Sequence, residues 1–221
     1  MRSAEPRSES AAREGLPLVA ALAGASAFAV TRSKIAGALL LAAAAWAGWF
    51  FRDPERHCPA KGGVLYSACD GRVMSVEEVD WHWHLYGRAL RIAVFLSPLD
   101  VHVNRSPAEA RLVASRRDPG PFAPAFLTSR SDSNARQLLG LDVNGRSGPG
   151  AKMVVAQIVG FMARRIVSWR MPGDHLEAGE KLGMIRFGSR TDVLLPVDAV
   201  SPLVRAGDRV FAGVTPIARY R

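Results

Sequence analysis

At 221 residues the chain has room for one domain and an appendage. Its 48% hydrophobic content can supply both a soluble core and a membrane segment, and its net charge of +9 suits anionic partners, meaning nucleic acid or anionic lipid. The basic residues are scattered with no interleaved aromatics, which argues against a base-stacking nucleic-acid face, and the two cysteines, Cys58 and Cys69, have neither a metal-like spacing nor a disulfide framework, reading as ordinary thiols of a reducing compartment.

Residues 1–15 form a polar tail in which Arg2, Glu5, Arg7, Glu9, Arg13 and Glu14 mix both signs. Leu16–Val30 is then uncharged and mostly apolar, Thr31-Arg32-Ser33-Lys34 breaks the run, and Ile35–Phe51 is again uncharged, with Trp46 and Trp49 near its end. Residues 16–51 are therefore expected to form a membrane-associated helical hairpin. As a helix the second run reaches about 25 Å, against a hydrocarbon core of about 30 Å, so a re-entrant hairpin competes evenly with two crossings. The tryptophans suit an interfacial belt. A signal peptide ending near Ala25-Ser26-Ala27 is opposed by the acidic residues upstream and by the second apolar run. Buried core helices are opposed by the lack of any polar face. Arg2, Arg7, Arg13, Arg52 and Arg56 flank the hairpin against Arg32 and Lys34 in its turn, which puts the remainder of the chain on the cytoplasmic side of the cell membrane.

From residue 52 to 221 the texture is of short apolar runs punctuated by Gly and Pro, predicting a mainly β (β-rich α+β) domain: compact, antiparallel and barrel-sandwich-like. Gly63–Ser67 and Arg72–Val76 read as strands flanking a Cys69-Asp70-Gly71 turn. Arg88–Phe95 alternates, with Leu90, Ile92 and Val94 on one face. Lys152–Ile158 and Met184–Phe187 are further strands, Ile158–Trp169 is ambiguous between strand and helix, and Arg116–Ser133 reads as a loop. Trp81-His82-Trp83-His84 would put two histidines on one strand face, but no third ligand has a recognisable spacing. An exposed hairpin tip whose tryptophans touch the membrane interface is the better reading, and no metal site is expected. Gly173-Asp174-His175-Leu176-Glu177-Ala178-Gly179 recurs as Gly207-Asp208-Arg209-Val210-Phe211-Ala212-Gly213. Such turn–strand–turn units resemble those of lipoyl and biotinyl carriers, although no lysine stands at a hairpin tip to take a prosthetic group.

Several segments, in order, resemble the phosphatidylserine decarboxylase family, over about residue 12 to the end. They are Phe50-Phe51-Arg52-Asp53-Pro54-Glu55-Arg56; Ser67-Ala68-Cys69-Asp70-Gly71-Arg72-Val73, similar to the family's Ser-Pro-Ala-Asp-Gly-Arg-Val; Phe95-Leu96-Ser97-Pro98-Leu99-Asp100-Val101-His102-Val103-Asn104-Arg105, similar to its Leu-Ser-Pro-x-Asp-x-His; Val155–Val167, with Gln157, Gly160, Arg164 and Arg165; and Gly183–Pro196, where Phe187-Gly188-Ser189-Arg190 resembles the self-cleavage site of the short bacterial and archaeal branch. The chain departs from the pattern at Ala68 and Cys69, where Pro and Ala are usual, and at Asn134-Ala135-Arg136, where Asn-Glu-Arg is usual and a carboxylate is lost.

The resemblance implies a self-processing carboxy-lyase that converts phosphatidylserine to phosphatidylethanolamine and CO2. Ser189 Oγ would attack the Gly188 carbonyl, with His102 as base and Asp70 orienting it. Elimination and hydrolysis would leave a pyruvoyl cofactor at residue 189 on a short chain, 189–221, that stays associated with the long chain, 1–188. The ketone would act as an electron sink for decarboxylation, with His102 returning the proton. Arg164, Arg165, Arg186 and Arg190 are the candidates for the headgroup phosphate. The partners implied are the anionic phospholipid, the membrane and, as an option, a second copy in a homo-oligomer. A related serine lipid such as archaetidylserine, or an uncleaved inactive relative acting as a binding module, are the alternatives.

Overall fold

The computed structural model describes residues 10–125, 131–145, 152–161, 165–186 and 188–221. It divides into two units, one ending at Glu55 and the other running from Arg56 to Arg221.

The first unit is a pair of helices, α1 (Ala11–Ala29) and α2 (Lys34–Phe50). The Ser33 side chain accepts a hydrogen bond from the Ala36 amide at 3.3 Å, capping the N-terminus of α2. Small residues let the helices approach. Ser26 Oγ donates to the Gly37 carbonyl at 2.8 Å, and a Cβ on Gly37 would lie 2.8 Å from that of Val30. Neither helix is long and apolar enough to cross a membrane.

The second unit is almost entirely antiparallel β. Its strands are β1 (Val64–Tyr66), β2 (Gly71–Trp81), β3 (Gly87–Leu96), β4 (Val103–Arg105), β5 (Ala110–Asp118), β6 (Arg136–Val143), β7 (Lys152–Ile158), β8 (Ile166–Ser168), β9 (His175–Leu176), β10 (Lys181–Ile185), β11 (Ser189–Pro196), β12 (Val200–Pro202), β13 (Arg209–Val210) and β14 (Pro216–Tyr220). Eight of them form a curled half-barrel in the order β13-β2-β3-β11-β7-β6-β5-β9, flanked by two three-stranded sheets, β1-β14-β12 and β4-β10-β8. Strand alternation gives the large sheet two apolar faces. Leu90, Ile92, Val94 and Leu96 of β3 join Leu139, Leu141, Val155, Val193 and Leu195 in the main core, whereas Ala89, Leu138, Val154, Ala156 and Leu194 face the other way.

The pairing pattern is duplicated. Strands β4 to β10 repeat the arrangement of β1–β3 followed by β11–β14: β2 pairs with β13 as β5 does with β9, and β1-β14-β12 matches β4-β10-β8. Each half carries a bulge, between Val73 and Ser75 in one and between Leu112 and Ala114 in the other. The Gly-Asp repeat forms the two edge strands. Asp174 and Asp208 each accept from the amide three residues before them, at 2.9 Å. One repeat is thus nested inside the other, and the chain crosses between them twice, through 97–102 and through 186–188.

Several sequence expectations change. Arg116 to Asp118 complete β5 rather than opening a loop, and Ile166–Ser168 is strand. Trp81 and Trp83 are half-buried on the second sheet face beside Leu85 and Leu138, so the exposed tip of the β2–β3 hairpin is Tyr86 and not the tryptophans. His84 is buried with Nε2 at 3.2 Å from the Leu141 carbonyl, while His82 is exposed, so the two do not share a face.

Candidate functional site

Both crossings between the repeats carry the candidate chemistry. Ser189 opens β11, with its Cα paired to that of Leu96 at the end of β3, and is fully buried. Among the described residues its Oγ finds no hydrogen-bond partner, which is uncommon for a buried hydroxyl. Gly188 reaches it with φ +57, a left-handed conformation that glycine adopts without a Cβ penalty. Phe187 lies outside the described residues.

His102 lies on the other crossing and is also buried; its carbonyl accepts from the Ile185 amide at 3.3 Å, just before the Gly188 turn. Its Nδ1 is 3.0 Å from the Asp100 carbonyl. A carbonyl only accepts, so Nδ1 carries the hydrogen and Nε2 is the basic nitrogen of the neutral ring. Asp100 shapes this loop: its Oδ2 accepts from the Ser97 amide and hydroxyl, both at 2.8 Å, and its Oδ1 pairs with Arg209.

Asp70, the carboxylate expected to orient His102, makes its hydrogen bonds with other groups. Its carboxylate accepts from Arg56 and from the Ala212 amide, each at 2.8 Å. Burial pushes its pKa up, against the pull of the Ala212 amide and the Arg56 guanidinium, and the charge of Asp100 adds to the rise. The charge of Asp100 thus reaches Asp70, and the His102 ring hydrogen-bonds the backbone carbonyl of Asp100.

Behind Ser189 on the same strand face lies a buried polar chain. Gln157 Nε2 donates to Asn104 Oδ1 at 2.7 Å, and Asn104 Nδ2 donates to Thr191 Oγ1 at 3.2 Å. Gln157 Oε1 is buried with no partner. The Thr191 hydroxyl faces Cys69, whose thiol is pushed well up, chiefly by burial. Both cysteines are free thiols.

The arginines proposed for a headgroup separate. Arg190 is fully enclosed, its guanidinium gripped by both Asp192 oxygens at 2.6 Å and by Asp132 at 2.8 Å and Ser131 at 3.0 Å, which leaves it no side for a lipid phosphate. Arg165 is exposed and Arg186 half-buried, joined by a backbone hydrogen bond of 3.2 Å. Arg164 lies outside the described residues. Ala135, where a carboxylate is usual in the resembling family, packs with Val159 and Ile185.

The residues that sequence reasoning left without a role are Arg56, Asp100, Asn104, Thr191 and Arg209. Asp100 was visible two residues before His102, but nothing local announces its partner Arg209, 109 positions away.

A sequence profile of the family described as Phosphatidylserine decarboxylase matches residues 43–218. Three curated relatives, each described as a phosphatidylserine decarboxylase proenzyme, align over most of their length. That of Symbiobacterium thermophilum is 45% identical over 94% of this chain and 94% of its own. That of Carboxydothermus hydrogenoformans is 43% identical over 78% and 79%, and that of Desulfotalea psychrophila 36% identical over 92% and 94%.

Proposed function

The chain belongs to the phosphatidylserine decarboxylase family, as one of its proenzymes, a carboxy-lyase that carries a serine-derived pyruvoyl group, and on that premise we propose that Ser189 is the serine that becomes the cofactor. The observation that carries this reading is the buried Ser189 Oγ, without a hydrogen-bond partner among the described residues and following a glycine in left-handed conformation, which suits a group that attacks the adjoining carbonyl. When bound, the pyruvoyl ketone supplies the electron sink into which the bond to the departing CO2 drains.

The chain's own residues divide the work as follows. His102 Nε2 takes the Ser189 hydroxyl proton and returns it to the leaving amide nitrogen, its ring held by the Nδ1–H bond to the Asp100 carbonyl. The carboxylates of Asp70 and Asp100 favour the imidazolium that forms. Asp70 acts through this field rather than through contact. In decarboxylation the protonated ring hands a proton to the product carbon. Arg164, Arg165 and Arg186 are the cations proposed for the headgroup phosphate.

The substrate is phosphatidylserine and the family is membrane-associated. The α1–α2 hairpin lies in the interface, its flanking arginines on the cytoplasmic side, without crossing the bilayer.

Intact mass of purified wild type beside Ser189→Ala tests the reading. The wild type is expected as two chains split between residues 188 and 189, the short one lighter than its serine form by one ammonia, and the variant as a single chain. An uncut wild type would overturn the assignment of Ser189. His102→Ala is expected to stay uncut as well; normal cleavage there would remove His102 from self-processing.

A further inference from the structure

The segment that follows β7 meets the 188–189 junction at its carbonyl. Val159 is clamped on both sides, its amide donating to the Ala135 carbonyl at 3.1 Å and its carbonyl accepting from Asn134 Nδ2 at 2.7 Å. The next residue, Gly160, rests with its Cα against Gly188. A Cβ built there would stand 2.2 Å from the Gly188 carbonyl oxygen, 3.2 Å from the Gly188 carbon and 3.0 Å from the Ala125 Cβ. The first distance is far inside contact, and the obstacle is backbone. Gly188 has the opposite constraint: a Cβ there would meet nothing within 4 Å, and its need for glycine comes from φ +57. One glycine serves conformation, the other space.

We propose that Gly160 is a positioning residue for self-cleavage, fixing the direction of the Gly188 carbonyl and leaving room for its oxygen as the carbon becomes tetrahedral. This rests on the reading that the bond between 188 and 189 is the one cut. In that step Ser189 Oγ bonds to the Gly188 carbon, the Gly188–Ser189 C–N bond breaks, and the hydroxyl proton ends on the freed amine, with no co-reactant. The carbonyl oxygen carries the developing negative charge and must leave the peptide plane. A methyl group at position 160 would push that oxygen aside by about 1 Å, a displacement that costs on the order of 100-fold in rate.

The test uses full-length Gly160→Ala with Gly183→Ala as a steric control, since a Cβ at Gly183 would meet the Val167 carbonyl oxygen at 2.1 Å, an equally hard clash in the β10–β8 pairing. Processing is followed by mass, and folding by circular dichroism and melting. Gly160→Ala is expected to fold and to process about 100-fold more slowly than wild type, while Gly183→Ala processes to completion wherever it folds. Hydroxylamine, which cleaves an ester linking residues 188 and 189 but not the Gly188–Ser189 peptide, should release no 189–221 chain from Gly160→Ala, marking a stall before the acyl shift. Processing of Gly160→Ala within about threefold of wild type, release of the short chain by hydroxylamine, or an equal stall in folded Gly183→Ala would each sink the proposal. If Gly160→Ala does not fold, Gly160→Ala/Ala125→Gly removes the 3.0 Å neighbour and leaves only the carbonyl in the way. A folded, uncut double variant supports the proposal, and an unfolded one makes position 160 structural. A wild type that is itself uncut at residue 188 takes the underlying reading down first, and this one with it.

Discussion

Arg190 follows the candidate cofactor position and is a cation with no exposure at all, its side chain enclosed with that of Asp192 at 0% and 4%. Removing one member of such a pair strands the other charge, and the loss is about 3–5 kcal/mol. We expect Arg190→Met or Asp192→Leu to lose stability on that scale in denaturant titration, and Arg190→Met/Asp192→Leu to recover most of it. A double variant as unstable as either single one would mean that the pair contributes more than charge balance. The alternation that places Arg190 and Asp192 on one strand face can be read from the sequence. What cannot be read is that this face is covered, so a buried arginine looked like a phosphate ligand. For Asp70 the type and motif were visible, but its partners Arg56 and Ala212 lie 14 and 142 positions away.

Among the elements, the hairpin of β2 and β3 carries a titrating group. His84 sits at its turn with φ +66, its ring against the Leu141 carbonyl and the Asp142 carboxylate. Burial holds its pKa below the ordinary 6.5, and Lys152 adds to the depression against the pull of Leu141 and Asp142. Between the depressed folded value and 6.5 the unfolded chain binds the extra proton. The stability tied to His84 is therefore complete above about pH 6.5 and is lost as pH falls through the folded value. Melting temperatures across this window should decline for wild type and decline less for His84→Gln. Identical slopes would show that His84 does not set the dependence. Strands with a clean alternation, such as β3 and β7, were readable from residues alone. The end of β5 was not, because its exposed positions Ser115, Arg116 and Arg117 follow one another, and such a polar, cationic stretch has the composition of a loop.

For the whole molecule, the division after Glu55 predicts separable duties. A chain beginning at Arg56 is expected to fold and self-process but not to float with vesicles of phosphatidylserine and phosphatidylcholine, whereas the full chain is expected to float. Flotation unchanged by the truncation would move membrane binding onto the β unit. The duplication was visible in sequence only as seven residues matched by seven, because the two halves share a hydrogen-bonding plan rather than side chains. The turns need glycine and aspartate, so they kept their letters; the strands need only apolar alternation.

The position of Ser189 within the sheet decides how a substrate can meet it. β11 lies between β3 and β7, paired with β3 along its whole length from Ser189 and with β7 from Arg190 to Leu194. A ketone at its first residue would be mounted on a fixed post, with no swinging tether of the kind a lipoyl or biotinyl arm provides. All the travel then falls to the lipid. Its headgroup must rise from the bilayer plane to a stationary carbon while its acyl chains stay behind, so the distance between that carbon and the membrane surface becomes a limit on which lipids can be served.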